Sequence, residues 1–357
     1  MIVYLIELLL ICIPCYLLRN RGKNKRLCIY SFLVLTFFAA LRKETVGVDT
    51  LQFVNQFENI GKSDWSFDSF RFEWGYCALN KILYMVFGDR QSLIIASSIF
   101  INFGVCYFVY KNTNHLSFAF AIYILSQTYL LYMSMMRTAM AISIILLGYE
   151  FFKQKKYFKY CIMIGIALLF HTLSLVALAL IPFAMLKLNR KTIQFIVICS
   201  LILFVFGRDI FTVLLSIFSK YSYYTNSIYR DSNYFGSLIK FLFVFITFII
   251  CIYCIYQSDR KTELFNDDTF KVLFFINLAY IIFSMLTMQV NLFNRLAHVF
   301  SIFRIIFIPY CIALIDNNSK RKNITGLTVT LFLAYFIVVG LTRPEWTGAF
   351  PYVFFWN

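Results

Sequence analysis

Three stretches place reactive side chains inside an otherwise apolar chain. "LRKETVGVDT" at 41–50 sets Arg42, Lys43, Glu44 and Asp49 around Gly47, directly after an apolar run that ends at Leu41. "YMSMMRTAMA" at 132–141 puts Arg137 between two apolar runs, and "ALLFHTLSLVAL" at 167–178 does the same for His171. A charge at membrane depth costs about 2.5 kcal/mol or more. A guanidinium fork there suits a phosphate or carboxylate held bidentately, or it snorkels to touch lipid phosphate. His171 reads either as a packing residue or as a group that moves a proton. Gly47 suits a turn of positive φ, and Asp49 either caps a helix starting at Thr50 or reaches into a site.

Other residues extend the pattern. Asn291, Arg295 and His298 are spaced i, i+4, i+7 and share one helical face. Arg304, nine residues beyond Arg295 and about 13 Å deeper, points to the other side of a straight helix, where it suits a structural pairing as well as a ligand. Glu73 and Arg71 sit in the stretch before residue 76. The tyrosines at 221, 223, 224, 229 and 234 fit an aromatic belt at the lipid boundary, or sugar stacking through Tyr223, Tyr224 and Tyr229. Trp346 and Trp356 allow the same two readings. The ten cysteines are scattered, and Cys12/Cys15 and Cys251/Cys254 have ordinary helical spacing within apolar segments. With His115, His171 and His298 as the only histidines, no metal site and no cofactor is expected.

The elements that must carry these residues are transmembrane helices. Hydrophobic residues make up 61% and charged ones 14% of 357 residues. That balance excludes a soluble domain, whose surface such a composition cannot cover. The net charge of +16 sits in short clusters between apolar runs, a topology signal rather than a nucleic-acid surface. Met1 to Leu18 lacks a basic n-region and a small-residue cleavage site and reads as a retained helix.

Candidate spans are 2–18, 27–41, 92–110, 116–135, 138–152, 157–171, 172–187, 192–207, 236–256, 272–290, 296–315 and 324–341. "RNRGKNKR" at 19–26 and "KQKKYFK" at 153–159 belong inside. An odd number of crossings must separate 42–50 from the second cluster. "YCALNKILYMVF" at 76–87 reaches only about 18 Å, so it is an interfacial or re-entrant helix rather than a span. The expectation is one all-α, polytopic transmembrane domain over 1–357, with about twelve crossings and both ends outside. Outside lie the loop 42–91, the Tyr-rich loop 208–235 and the tail 342–357.

The ordered elements "R-x-x-T-x-G-x-D-T" at 42–50, "R-T-A-M-A" at 137–141 and "A-L-L-F-H" at 167–171 resemble the EpsG-type branch of the Wzy-like polysaccharide polymerases. The resemblance covers roughly 37–187, and Arg42, Gly47, Asp49, Arg137 and His171 match. Phe53, Thr138 and Leu173 stand where such proteins often carry Tyr, Gln and a small hydroxyl residue, with Ser174 adjacent to the last. The resemblance implies a glycosyltransferase of GT-C-like architecture in the bacterial plasma membrane, with its active site facing outward. Its donor and acceptor would be oligosaccharide repeat units on undecaprenyl diphosphate, its surroundings the lipid bilayer, and its partners a flippase and a chain-length regulator.

Arg137, Arg295 and Arg42 are then the expected diphosphate ligands, and His171, Asp49 and Glu73 the candidate bases. Asp267-Asp268 falls on the cytoplasmic side and no outer Asp-x-Asp motif exists, which favours a metal-free scheme. A polysaccharide ligase, a flippase for lipid-linked oligosaccharide and an O-acyltransferase using His171 are the alternatives.

Overall fold

The computed structural model describes residues 1–18, 24–217 and 234–357, with the side chains of 210–217 and 261 left aside. Among the described residues every regular element is helical, and the isolated bridge between Arg42 and Phe354 is the extended pairing. The chain forms two compact units, Met1–Leu178 with Gly326–Asn357, and Ala179–Thr325.

The first unit holds α1 (Ile2–Leu17), α2 (Asn24–Ala40), α3 (Thr50–Lys62), α4 (Trp74–Phe87), α5 (Gln91–Asn112), α6 (Leu116–Leu125), α7 (Thr128–Ser134), α8 (Met136–Lys153) and α9 (Tyr157–Leu168). At its centre α5 packs on α2, α3, α4, α6 and α8. Small residues permit a close crossing: a Cβ on Gly104 of α5 would lie 3.0 Å from the Cα of Ser143 on α8.

The second unit holds α10 (Leu180–Met185), α11 (Arg190–Ile217), α12 (Tyr234–Gln257), α13 (Lys261–Asn266), α14 (Asp268–Leu286), α15 (Leu292–Ser301) and α16 (Arg304–Ala313). Its hub is α14, touching each of the other six. The final helix, α17 (Asn318–Thr342), runs into the first unit.

Five helices are long and apolar enough to cross a membrane, and up to seven spans result if each bent pair counts as one. These are α5, α11 over Arg190–Asp209, α12, α14 and α17, with α6–α7 bent by 57° and α15–α16 by 50°. The remaining expected spans are short: α9 has 12 residues, about 18 Å, and Thr172–Ala179 is a 3-10 segment leading into the six-residue α10. The shares of each span buried in protein differ widely, 72% for α14 against 11% for α11, as hub and lipid-facing helices should.

One end of the first unit is tied together by backbone. Lys43 N donates to Val353 O at 2.9 Å, Phe355 N to Leu41 O at 2.9 Å and Gly47 N to Gly348 O at 2.7 Å. The 42–50 stretch thus forms a strap with the segment 344–357. Gly47 has φ +107° and its Cβ position lies 3.0 Å from the Cα of Ser134; Gly348 has φ +61° against Gly47 and Val48. Glu44 faces Arg90 at 3.7 Å, and Arg90 Nε donates to Glu58 at 2.7 Å, holding that carboxyl below its usual range.

Gly47→Ala is expected to destabilise the protein by about 1–3 kcal/mol, because alanine is strained at this φ and meets backbone. Gly165→Ala, which meets open space in α9, should be neutral or stabilising by up to about 1 kcal/mol. Thermal midpoints in detergent test the pair, and equal midpoints would refute the strap.

Candidate active site

Glu73 occupies the position before α4, in extended backbone. The first turn of α4 docks on the end of α9: Tyr76 N donates to Leu169 O at 3.1 Å, and a Cβ on Gly75 would stand 2.9 Å from that carbonyl. Only glycine allows this approach, and it carries the Glu73 carboxyl to the turn after α9. There Oε1 accepts from Thr172 N at 3.0 Å, while Oε2 accepts from Arg137 Nη1 at 2.6 Å.

Arg137 lies in the first turn of α8, just past the break at Met135. Its guanidinium carbon sits 4.9 Å from the centre of the Phe72 ring. Arg137 and Glu73 side chains are 17% and 16% exposed, so the pair is poorly hydrated yet reachable. Arg137 Nε is buried and makes no hydrogen bond among the described residues. A guanidinium has five N–H donors, and this one retains capacity for an oxyanion.

His171 is buried at the turn. Its N donates to Ala167 O at 3.0 Å, and Ser174 Oγ donates to its carbonyl at 2.7 Å. Leu173 N donates to His171 Nδ1 at 3.1 Å. With that lone pair engaged, a neutral ring carries its proton on Nε2. Of the expected bases, His171 thus accepts at Nδ1 from Leu173 N, and Glu73 is held between the Arg137 cation and the Thr172 N–H.

Asp49 precedes α3 without a side-chain cap, which removes the capping reading; its N donates to Ser134 Oγ at 3.3 Å. Thr50 Oγ1 donates to Val46 O at 2.9 Å. Asp49 is thereby fixed to the α7–α8 break three residues before Arg137 and remains half-buried.

Arg42 is 1% exposed, with Nη1 on Ala39 O and on Ser98 Oγ at 3.1 Å and Nη2 on Met133 O at 2.8 Å, and it lines a narrow cavity. These bonds join the α2 end, α5 and α7.

Arg295 belongs to the second unit, half-buried on α15. Because α15 and α16 meet at 50°, the straight-helix geometry expected between Arg295 and Arg304 does not apply; Arg304 lies over the rings of Phe243 at 5.9 Å and Tyr280 at 5.3 Å. Trp346 is half-exposed in the short 3-10 turn Pro344–Trp346. Tyr223, Tyr224 and Tyr229 lie outside the described residues.

Two participants were not singled out from the sequence. Phe72 and the Thr172 N–H carry no signal of their own, since any residue supplies a backbone donor.

The Glu73–Arg137 pair is expected to show a coupling of about 1–3 kcal/mol in a double-mutant cycle of Glu73→Gln and Arg137→Gln, read as unfolding free energies in detergent. Strict additivity would show that the pair does not form.

No curated protein and no solved structure matches the chain. The profile of the EpsG family, whose members are in general glycosyltransferase-like polysaccharide polymerases, matches residues 25–354. That match extends well past the 37–187 region of the sequence resemblance, through both compact units and onto the segment strapped to residues 41–48. A match of that extent settles descent: the chain belongs to the EpsG family.

Proposed function

We propose that the protein polymerises a surface polysaccharide, joining oligosaccharide repeat units carried on undecaprenyl diphosphate at the outer face of the bacterial plasma membrane. The observation that carries this reading is Arg137, oriented by Glu73 and Phe72 with a buried, unengaged Nε beside the His171 turn. A lipid diphosphate leaving group gains charge as the bond from sugar C1 to phosphate oxygen breaks, and a preorganised guanidinium in a poorly hydrated place stabilises it.

The new bond forms between C1 and the acceptor hydroxyl oxygen, whose proton passes to a base. Of the three carboxylate and imidazole candidates, Asp49 suits that task, since Nδ1 of His171 and the carboxylate of Glu73 are already engaged. Trp346, Tyr223, Tyr224 and Tyr229 serve as sugar contacts. No metal or cofactor takes part; guanidinium groups supply the positive charge. A flippase delivers the donor and a chain-length regulator acts with the enzyme.

The twelve-crossing, GT-C-like topology counts the seven long or bent spans together with α1, α2, α8, α9 and Thr172–Met185 as short or tilted crossings. It places Lys156 inside, and a reporter fused there that reads external would refute it.

In a strain lacking the protein, lipid-linked glycans should accumulate as single repeat units, and wild type should restore the ladder of long chains. Arg137→Ala and Asp49→Asn, at matched membrane levels, should each lower polymer yield about 100-fold or more. Full yield with Asp49→Asn would remove it as base. Long chains that persist in the deletion strain without attachment to their final acceptor would instead identify a ligase, and normal attached chains would refute the reading.

A further inference from the structure

The segment 63–74, which joins α3 to α4, carries two exposed rings that the Arg137 site does not use. Phe67 is buried in a small core with Ile60, Cys77 and Ala78, and Phe70 and Phe72 pack against that core. Two indoles lean on Phe67: Trp65, with ring centres 6.0 Å apart at 60°, and Trp74, with centres 6.1 Å apart at 64°. The two indole centres are therefore no more than about 12 Å from each other. Neither contact is a face-to-face stack, and both indoles stay open, Trp65 at 51% and Trp74 at 58% exposed.

Open aromatic rings on a folded surface mark a place where something else binds, and the residues around them say what. Beside and between the indoles the exposed residues are polar: Asp64, Ser66, Asp68, Ser69 and Arg71. Ser66 Oγ donates to Asp68 Oδ2 at 3.3 Å. Carboxylates are costly in hydrocarbon and are repelled by anionic headgroups. The far end of α4 shows the contrast, since Ile82, Met85, Val86 and Phe87 are exposed with no charge among them, the surface that an interfacial helix gives to lipid. Flat amphipathic rings interleaved with carboxylates and hydroxyls match a sugar instead. The apolar face of a pyranose lies on an indole, and its hydroxyls donate to the carboxylates.

The indoles and Arg137 share one support. Phe72 packs against the core that holds Phe67, and its ring centre lies 4.9 Å from the guanidinium carbon of Arg137. Glu73, between Phe72 and Trp74, accepts from Arg137 Nη1 at 2.6 Å. A sugar chain stacked on the indoles is thereby held beside that guanidinium. Because Phe67 fixes both rings before a ligand arrives, little ordering cost is left for binding.

We propose that Trp65 and Trp74 form a stacking platform for the pyranose rings of an oligosaccharide, with Asp64, Ser66 and Asp68 taking its hydroxyls. They are positioning residues, which align the glycan while the Arg137 site carries the chemistry. That the glycan is a repeat unit being polymerised rests on the polymerase reading; the platform itself does not.

The test uses full-length protein in phosphatidylcholine nanodiscs and two lipid-free probes: short oligosaccharides cut from the surface polysaccharide of the producing strain, and maltotriose. Saturable binding of the first is expected in calorimetry. Trp65→Ala and Trp74→Ala should each weaken it about three- to tenfold, and Trp65→Phe and Trp74→Phe, which keep a ring on Phe67, should restore much of the loss. Binding of maltotriose, alone or equally, would support a platform that reads ring shape rather than one particular sugar.

No binding of either probe by wild type, binding unmoved by both alanine variants, or losses that simply follow the thermal midpoint would overturn the proposal. So would fluorescence of Trp65 and Trp74, taken as the difference between wild type and the phenylalanine variants, that is quenched by brominated phosphatidylcholine and not by aqueous iodide, which assigns the rings to lipid. Binding that persists while a deletion strain makes normal polymer would refute the polymerase reading and leave the platform standing. Single repeat units in that strain, with no glycan binding, would do the reverse.

Discussion

The carboxylate of Glu73 is the interaction on which the first unit's site depends. One oxygen holds the guanidinium of Arg137 on α8, and the other holds the backbone N–H of Thr172 after α9. Three elements distant in sequence are thereby fixed at one point: α4 through its start, α8 through its first turn, and the His171 turn. Neither partner is fully hydrated, so each would be costly alone. Their pairing engages Nη1 of Arg137 and sets Phe72 against its face, which leaves a cation both anchored and chemically available.

The two units treat buried charge differently. In the first, Arg42 is enclosed by carbonyl and hydroxyl oxygens from α2, α5 and α7 and becomes a structural pin, while Arg137 has a carboxylate partner. In the second, Lys240 meets an amide and feels other cations. A pinned guanidinium stabilises helix packing by satisfying carbonyls that a helix end leaves open.

The helical, membrane-embedded character of the chain was legible because apolar run length is set directly by bilayer thickness. The involvement of Gly47, Asp49, Arg137 and His171 in one end of the first unit was legible too, since charged and glycine residues interrupting greasy sequence need a local reason. What sequence periodicity could not supply was direction. Arg42 looks the same whether it faces a ligand or the carbonyl of Met133, and the choice is made by α5 and α7, which lie far along the chain. The bend at Ile302–Phe303, which sets the direction of Arg304, has no proline or glycine at the break to announce it. The contact at His171 Nδ1 comes from one backbone N–H, of Leu173, that no side-chain pattern encodes.

The breaks themselves explain why polar residues gather where they do. In hydrocarbon an interrupted helix must satisfy its backbone internally, and each break here does so locally. Gln127 adopts φ +61° and its N donates to Ile124 O at 2.9 Å; Met135 N donates to Leu131 O at 2.7 Å; Phe303 N donates to Phe300 O at 3.2 Å. A break closed in this way changes helix direction without exposing bare peptide groups. It also turns the next residues out of the lipid-facing register, so Arg137 emerges two residues after Met135 and Arg304 one residue after Phe303. A straight span would hold such side chains against lipid tails or within a closed seam. The bends therefore make it possible to place a guanidinium beside aromatic rings, partly dry and still oriented, which is the electrostatic condition for stabilising a phosphate charge.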